Sequence, residues 1–177
     1  AAGSGLAEVV TFNNGAGSVE DDAAWEDPLN WDTGTLPGSD DDVVVPFRDA
    51  GDGDRVLVGA NVGTIKSLRI GGSGDAEQVR VGTDGDLAVS GDVLLGIVEE
   101  DGNRAGDLRT QQNTAFLTID GNIVANSPAD NDIAINRGTF SLAGDIIMTD
   151  DNRIDSLDVE RGEFLLTGAG SQTLTVQ

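Results

Sequence analysis

Apolar and polar residues alternate in short segments through the C-terminal two thirds of the chain. One segment recurs: the pattern of residues 133–144, two aliphatic positions followed by Arg-Gly-x-Phe-x-Leu-x-Gly, returns at residues 157–168, 24 residues further on. Shorter versions occupy residues 79–91 and 117–121. Alternation at period two predicts strands rather than helices, and a fixed repeat of this length is typical of stacked repeat folds. We therefore predict an all-β fold, a β-solenoid (β-helix-like) with rungs of about 24 residues.

A β-sandwich or jelly roll with evenly spaced strands would show similar alternation and is the alternative. The matched phrases favour the solenoid, because simple alternation does not require them. The polar run at residues 99–107 lengthens one interval between glycines and predicts a loop inserted at a corner, where partners often bind. The side chains that we expect to point inward are Val79, Val81, Leu87, Val89, Leu117, Ile119, Ile133, Ile135, Phe140, Leu142, Leu157, Val159, Phe164 and Leu166.

The whole chain, residues 1–177, is predicted to form a single β domain, since no linker rich in Pro or Ser divides it. Residues 1–24 form an N-terminal strand or arm. Residues 25–60 are rich in Trp, Pro and Asp and are interpreted as a cap, and residues 61–177 carry the repeated rungs.

The composition narrows the function classes. The chain has 32 acidic and 10 basic residues, a formal charge of −22, and no His, Cys or Tyr. This charge opposes binding to nucleic acid, and no segment approaches the roughly 20 apolar residues that span a bilayer, so membrane insertion is not expected. Triad, thiol and zinc–histidine chemistry is excluded. Carboxylate pairs are so abundant that they do not indicate a glycosidase, and we expect no enzyme activity.

The acidic residues are mostly aspartates grouped between predicted strands. Short carboxylates in turns suit hard cations, so Ca²⁺ is the expected cofactor, although no EF-hand loop is present. Solvated turns, and adaptation to high salt, explain the same clusters equally well. The candidate ligands are Asp27, Asp40, Asp41, Asp42, Asp52, Asp54, Asp84, Asp86, Asp130 and Asp132.

The only two tryptophans, Trp25 and Trp31, flank Pro28 in a W-x-x-P-x-N-W segment. Two indoles six residues apart could cover an end of the solenoid, which otherwise exposes unpaired backbone. The alternative is a stacking platform for a sugar ring, with polysaccharide as partner. Leu29 and Leu36 suggest burial and favour the cap.

The segment at residues 25–46, with the S-L-x-I-G-G phrase at residues 67–72 and a G-D-x-x-x-G phrase at residues 91–96, resembles the opening of many exported bacterial surface proteins. In that group it precedes a β-helical or autotransporter-like repeat region. The resemblance implies an extracellular or cell-surface protein with a structural or adhesive role, and it supplies no catalytic residue. The small residues at the N-terminus fit a removed signal peptide.

Two functions remain open. The first is a structural subunit of an extracellular filament, tube or surface layer, a homo-polymer joined through strand edges near both termini. The second is an adhesin or carbohydrate-binding module of a larger secreted protein. A chain that is one piece of a longer solenoid would show the same strand-like C-terminal segment. The predicted assembly residues are Leu6, Val9, Val10, Phe12, Leu174 and Val176.

Overall fold

The computed structural model describes residues 7–15, 22–46, 55–71, 77–99, 102–148, 152, 154–172 and 174–175. In these residues the chain is nearly all β-structure, with parallel strands stacked turn upon turn, so the predicted β-solenoid is confirmed. From residue 42 onward each turn visits three sheets in the same order, whereas the described residues before it contribute strands to two of these sheets only. We call them the first, second and third sheets.

The strands of each sheet are hydrogen-bonded to the strands one turn earlier and one turn later. The first sheet contains β1 (Val9–Thr11), β3 (Asp42–Val45), β6 (Ser67–Ile70), β9 (Val93–Leu95), β14 (Ile123–Ala125), β17 (Ile146–Ile147) and β20 (Leu174–Thr175). The second sheet contains β2 (Asp22–Ala24), β4 (Arg55–Val58), β7 (Glu77–Val81), β12 (Gly106–Thr110), β15 (Asn131–Ile135) and β18 (Ile154–Val159). The third sheet contains β5 (Asn61–Ile65), β8 (Asp86–Val89), β13 (Phe116–Ile119), β16 (Thr139–Leu142) and β19 (Glu163–Leu166).

The interior consists of columns of aliphatic side chains, because the alternation places every second residue of each strand inside. In the third sheet Leu87, Leu117 and Phe140 stack in register, and the next inward position repeats as Val89, Ile119 and Leu142. These residues are almost fully buried. Each buried side chain of this size contributes roughly 1.5–3 kcal/mol of transfer free energy. The predicted interior positions from Val79 to Leu142 are therefore confirmed.

The last turn differs from this prediction. Leu157, Val159, Phe164 and Leu166 occupy the same inward columns, paired in register with Ile133, Ile135, Phe140 and Leu142. Nevertheless Leu157 is 39% exposed, Val159 44% and Leu166 59%, and Phe164 is only partly buried. The physical reason is that no strand of the described chain stacks over β18 or β19. These four side chains point inward as predicted, but they are not buried as predicted.

Glycine stacks on glycine at the corner between the third and first sheets. Gly121 N donates to the carbonyl of Gly91, and Gly144 N donates to the carbonyl of Gly121. A Cβ on Gly121 or Gly144 would overlap the backbone of the glycine one turn earlier. The spacing of the repeat is therefore held by close contact between backbones at this corner.

The predicted insertion lies where expected, between β9 and β12, and it has more regular structure than a loop. β10 (Ile97–Glu99) and β11 (Gly102–Arg104) pair as an antiparallel hairpin. This hairpin is separate from the three parallel sheets. It explains the longer interval between the glycines that precede and follow it.

Candidate assembly surface

A cluster of aromatic rings covers part of the N-terminal end of the solenoid, where β2 and β5 each pair with one strand only in the described chain. The ring of Trp31 packs edge-on against Phe12 at 5.3 Å between centroids and against Trp25 at 4.7 Å. Its Nε1 donates a hydrogen bond of 2.8 Å to the carbonyl of Trp25. All three side chains are almost fully buried. The indoles therefore form part of a cap, and their faces are not accessible for stacking on a sugar ring.

The cap is held by a short segment that crosses the end of the solenoid. After β2 the chain makes one 3-10 turn, Pro28–Asn30, whose first amide is capped by the Asp27 side chain. Residues 30–32 then run antiparallel to residues 11–13: Asp32 N donates to Thr11 O at 3.0 Å and Asn13 N donates to Asn30 O at 2.8 Å. This pairing occupies the edge of β1 that faces away from β3. The expected burial of Leu29 and Leu36 is wrong, because both are exposed at this end.

At the C-terminal end each of the three sheets finishes in a strand with one partner in the described chain: β20 in the first sheet, β18 in the second and β19 in the third. There β18 pairs only with β15, and β19 pairs only with β16, so each has one edge without a strand partner in the described chain. Leu157, Val159 and Leu166 are exposed at this end. We define β18 and β19, with the inward side chains that they present, as the C-terminal open turn.

Two shallow apolar hollows lie in the C-terminal open turn. The larger, of about 200 Å³, is lined mainly by Leu142, Ile146, Leu157, Phe164 and Leu166. The smaller, of about 150 Å³, shares Ile146 and Leu157 and is completed by Ile133, Met148 and Ile154. Inside the stack, the equivalent space is filled by the side chains of the next turn. The hollows are therefore the places that an additional turn would fill.

The first sheet continues one strand further, and a glutamine makes this possible. Gln172 Nε2 donates to the carbonyls of Leu142 and Gly144, each at 2.8 Å, and its Oε1 accepts from Gly168 N at 3.1 Å. At the other corners, backbone amides donate to the carbonyls one turn earlier. Here the side chain of Gln172 donates to such carbonyls instead. β20 then pairs with β17. No sequence pattern singled out Gln172, because it has no counterpart in the other repeats.

The predicted assembly residues fall in different environments. Val9 is exposed, whereas Val10 and Phe12 are buried in the core, and the outer edge of Thr11 is already paired with the cap. The side chains of Val10 and Phe12 are therefore not available for a contact between chains. Leu174 lies in β20, the last strand of the first sheet, which pairs with β17 only. Leu6 and Val176 lie outside the described residues.

Several of the aspartates predicted to bind Ca²⁺ are engaged by groups of the chain itself. Asp27 accepts from Leu29 N, and Asp41 accepts from Gly38 N and Glu8 N. Asp42 accepts from Lys66 and Ser67, and these hydrogen bonds, that of Lys66 first, lower the pKa of Asp42. Asp86 accepts from Asn61, and Asp132 accepts from Ser156.

The remaining candidate ligands are exposed or undescribed. Asp40, Asp84 and Asp130 are exposed, and Asp84 has a left-handed backbone with φ of 59°. Asp52 and Asp54 lie outside the described residues. Within the part of the chain that the structure covers, no group of three or more acidic, His or Cys residues has an arrangement suited to a metal ion. Calcium binding stays a prediction.

On the outer face of the second sheet lies a row of hydrogen-bonded polar side chains, which we call the polar ladder: Gln78, Asp107 and Arg109. Asp107 is 3% exposed, and one of its carboxylate oxygens accepts from Arg109 at 2.7 Å and from Gln78 at 3.2 Å. Burial raises the pKa of Asp107, and the hydrogen bond from Arg109 partly opposes this rise. The ladder links successive turns through side chains, in addition to the backbone bonds of the sheet.

Comparisons with known proteins do not identify a related family, so the function is argued from the fold and from these surfaces. No family model, curated protein or solved structure matches the chain. Among the described residues there is no helix with the length and apolar character needed to cross a membrane. Of the surfaces described above, the C-terminal open turn combines unpaired strand edges with exposed apolar side chains.

Proposed function

We propose that the protein is a structural subunit of an extracellular filament, tube or surface layer, and that its C-terminal open turn is a surface through which chains join. One observation carries the proposal: the inward columns of the solenoid stay exposed at Leu157, Val159 and Leu166, on two strands whose outer edges are unpaired in the described chain. Such an edge is a template for pairing with another chain. Strand addition would satisfy the backbone groups and cover the apolar side chains in one step.

The contact would resemble the interior of the protein itself. Between adjacent turns, Ile133 stacks on Leu157 and Phe140 packs on Phe164 with ring centroids 5.5 Å apart. A second β-structure placed on the C-terminal open turn would extend these same columns. The gain comes from apolar surface removed from water, at roughly 25 cal/mol per Å², and from backbone hydrogen bonds that give the strands a fixed register.

The acidity of the chain opposes this contact unless cations are present. A formal charge of −22 on each copy makes close approach unfavourable. Monovalent salt reduces the repulsion by shortening the Debye length to about 10 Å at 0.1 M. Ca²⁺ would act more strongly by neutralising clustered carboxylates at the contact. We therefore propose Ca²⁺ as a stabiliser of the assembly, without assigning its ligands.

The extracellular location is part of the proposal and is supported by the resemblance of residues 25–46, 67–72 and 91–96 to exported surface proteins. The absence of cysteine means that stability outside the cell would come from stacking rather than from disulfides. A solenoid suits this role because each turn contacts only its neighbours, so an added unit extends the same set of contacts.

Negative-stain electron microscopy of the purified chain, in millimolar Ca²⁺ and again in excess chelator, tests the proposal. We expect ordered assemblies in Ca²⁺ that shorten or dissociate in chelator. Assemblies that are unchanged by chelator would keep the structural role and remove calcium from it. Monodisperse single particles in both conditions, at all salt concentrations, would contradict the structural role and leave a binding module as the explanation.

A further inference from the structure

We infer that the outer face of the third sheet binds an uncharged polysaccharide. The ring of Phe116 is the contact for one sugar, and polar side chains on either side of it are the hydrogen-bond partners. This inference goes beyond the proposed function and does not depend on it, because the face lies along the side of the solenoid. A further turn at either end would extend this face and would not cover it.

The first observation is an exposed aromatic ring on a lateral face. Phe116 is 50% exposed and is the most exposed of the described aromatic side chains. It points outward because the alternation of β13 sends Leu117 and Ile119 into the core. Both edges of β13 are paired, with β8 and with β16. The ring of Phe116 therefore has no part in the core or in covering an edge of the sheet.

The repeat supplies an internal comparison for this position. In the other turns the residues in register with Phe116 are polar: Asp86 one turn earlier, Thr139 one turn later, and Asn61 and Glu163 beyond them. Stacking of the turns therefore does not require an apolar side chain in this column. Because neighbouring strands lie about 4.8 Å apart, Asp86 and Thr139 flank the ring on both sides.

This arrangement matches the surface of a sugar ring. A sugar ring has an apolar face of C–H groups, which packs on an aromatic face, and hydroxyls around its rim, which both donate and accept. The carboxylate of Asp86 accepts hydrogen bonds, and the hydroxyl of Thr139 donates or accepts them. Asn61 Nδ2 donates to Asp86 Oδ2 at 2.9 Å and so holds this carboxylate in place. A sugar seated on Phe116 would find hydrogen-bond partners in both directions along the column.

The charge and the shape of the face favour an uncharged polymer among sugar ligands. The outward side chains of the third sheet include the carboxylates of Asp86 and Glu163 and no Lys or Arg, so an acidic glycan would be repelled. Phe116 lies on a sheet face and not in either of the two hollows. A flat face covers little of a small molecule, whose sites are usually concave. A polymer, by contrast, gains contacts at successive turns.

A protein partner fits the same ring less well. Aromatic anchors of protein interfaces are usually surrounded by contacts that exclude water, whereas Phe116 has the polar residues Asp86 and Thr139 beside it. A peptide that bound by adding a strand would need an unpaired edge, and both edges of β13 are occupied.

Native electrophoresis through gels cast with a soluble polysaccharide tests the inference. The probes are hydroxyethyl cellulose, glucomannan, arabinoxylan and dextran as uncharged polymers, and alginate as an acidic one. Phe116→Ala removes the ring, Phe116→Leu keeps an apolar side chain without a ring, and Phe116→Trp enlarges the ring. Leu36→Ala, at a 43% exposed residue of the N-terminal end, is the matched control. Circular dichroism first checks that each variant is folded, which is expected for substitutions of exposed side chains.

We expect at least one uncharged polymer to retard the wild type, Phe116→Trp and Leu36→Ala, and alginate to retard none of them. Phe116→Ala should bind at least about tenfold more weakly, and Phe116→Leu should lose most of the retardation. No retardation of the wild type by any of the uncharged polymers, or equal retardation of Phe116→Ala, would overturn the site. Phe116→Leu equal to the wild type would overturn the stacking contact, and equal retardation by alginate would overturn the choice of an uncharged ligand.

Electron microscopy separates this site from the proposed structural role. We expect Phe116→Ala to form the same assemblies as the wild type. Loss of these assemblies in Phe116→Ala would place the ring in a contact between copies and overturn the polysaccharide site. A wild type that is retarded by an uncharged polymer and forms no assemblies would support the site and contradict the structural role.

Discussion

The first and last turns of the solenoid are built from the same inward-facing columns, and they differ in what covers those columns. At the N-terminal end Phe12, Trp25 and Trp31 are buried beneath a crossing segment that also pairs with the edge of β1. At the C-terminal end Leu157 and Leu166 continue the columns, and nothing in the described chain covers them. The aromatic rings of the first end are therefore covered by the chain itself, although Leu29 and Leu36 at that end are exposed, and the last turn presents its inward side chains to solvent.

The difference shows what closing a solenoid requires of a sequence. The cap departs from the period-two alternation: a 3-10 turn at Pro28–Asn30 redirects the chain, and residues 30–32 run antiparallel in a fold that is otherwise mostly parallel. The last turn keeps the alternation through Leu166. The segment that departs from the repeat pairs with the edge of β1, whereas β2 and β5 at the same end, and β18 and β19 at the other, keep one edge unpaired in the described chain.

The largest expected effect is a difference in stability between a variant of the interior and a variant of the open turn. Phe140 and Phe164 are adjacent members of one column, the first fully buried and the second only partly. Phe140→Asp places an unpaired charge in the core, and we expect a loss of more than about 4 kcal/mol, enough to prevent folding. Phe164→Asp is the matched control and should remain folded with a smaller loss. Circular dichroism melting curves measure both, and a melting curve for Phe140→Asp equal to the wild type would refute the register of the third sheet.

The next effect tests the capped end. Trp31→Ala removes a buried ring that contacts Phe12 and Trp25 and donates to the Trp25 carbonyl. We expect a loss of about 3–5 kcal/mol in the free energy of unfolding, as for other large core truncations. Leu29→Ala, at an exposed residue of the same segment, should change stability by about 0.5 kcal/mol or less. Urea unfolding followed by circular dichroism gives both values, and equal losses for the two variants would mean that the aromatic cluster does not hold the cap.

A smaller effect is the pH dependence of stability that the carboxylate of Asp107 in the polar ladder causes. Because burial raises the pKa of Asp107, the folded chain takes up a proton at higher pH than the unfolded chain, whose Asp value is near 3.8. The stability of the wild type relative to Asp107→Asn should therefore rise as the pH falls through the raised value, and the gain is complete below about 3.8.

Asp42→Asn is the control of opposite sign. The pKa of Asp42 is lowered by its hydrogen bonds to Lys66 and Ser67. The stability that this carboxylate contributes is present above 3.8 and is lost as the pH falls through its lowered value. Chemical unfolding at several pH values compares each variant with the wild type. A wild type that loses stability relative to Asp107→Asn on acidification would contradict the burial of that carboxylate.

The fold and the interior columns could be predicted from the sequence. Alternation at period two indicates strands, and a repeat of 24 residues favours a stacked fold. β3 and β4, inside the range 25–60 that we expected to be a cap, are strands of the solenoid, and the burial expected of Leu29 and Leu36 is wrong. The crossing segment with Trp25 and Trp31 was predicted. Its antiparallel pairing with β1 was not, since this pairing joins residues that lie far apart in the sequence and carry no matching pattern. The inserted hairpin was located correctly, but its strands were not recognised.

Burial of the last turn could not be predicted from the repeat. Ile133 and Leu157 occupy equivalent positions of the repeated segment and are paired in register. Ile133 is fully buried and Leu157 is exposed, because a following turn covers the first and none in the described chain covers the second. The repeat therefore defines which way a side chain points, and the number of turns defines whether it is covered.

The contacts of the aspartates could not be predicted from their clusters, for a similar reason. Asp41, Asp42 and Asp86 accept hydrogen bonds from amides and side chains that lie far from them in the sequence. Local composition marks where carboxylates gather, and only the fold decides what they contact.

The most direct test of the C-terminal open turn is sedimentation velocity of the wild type beside two variants of one strand. Leu166 points into the exposed column, whereas Leu165, 42% exposed, lies on the outer face of the same strand. We expect the wild type and Leu165→Glu to associate with increasing concentration in Ca²⁺ or moderate salt, and Leu166→Glu to remain a folded monomer. Association of Leu166→Glu equal to that of the wild type, or a wild type that stays monomeric throughout, would contradict the role of this turn.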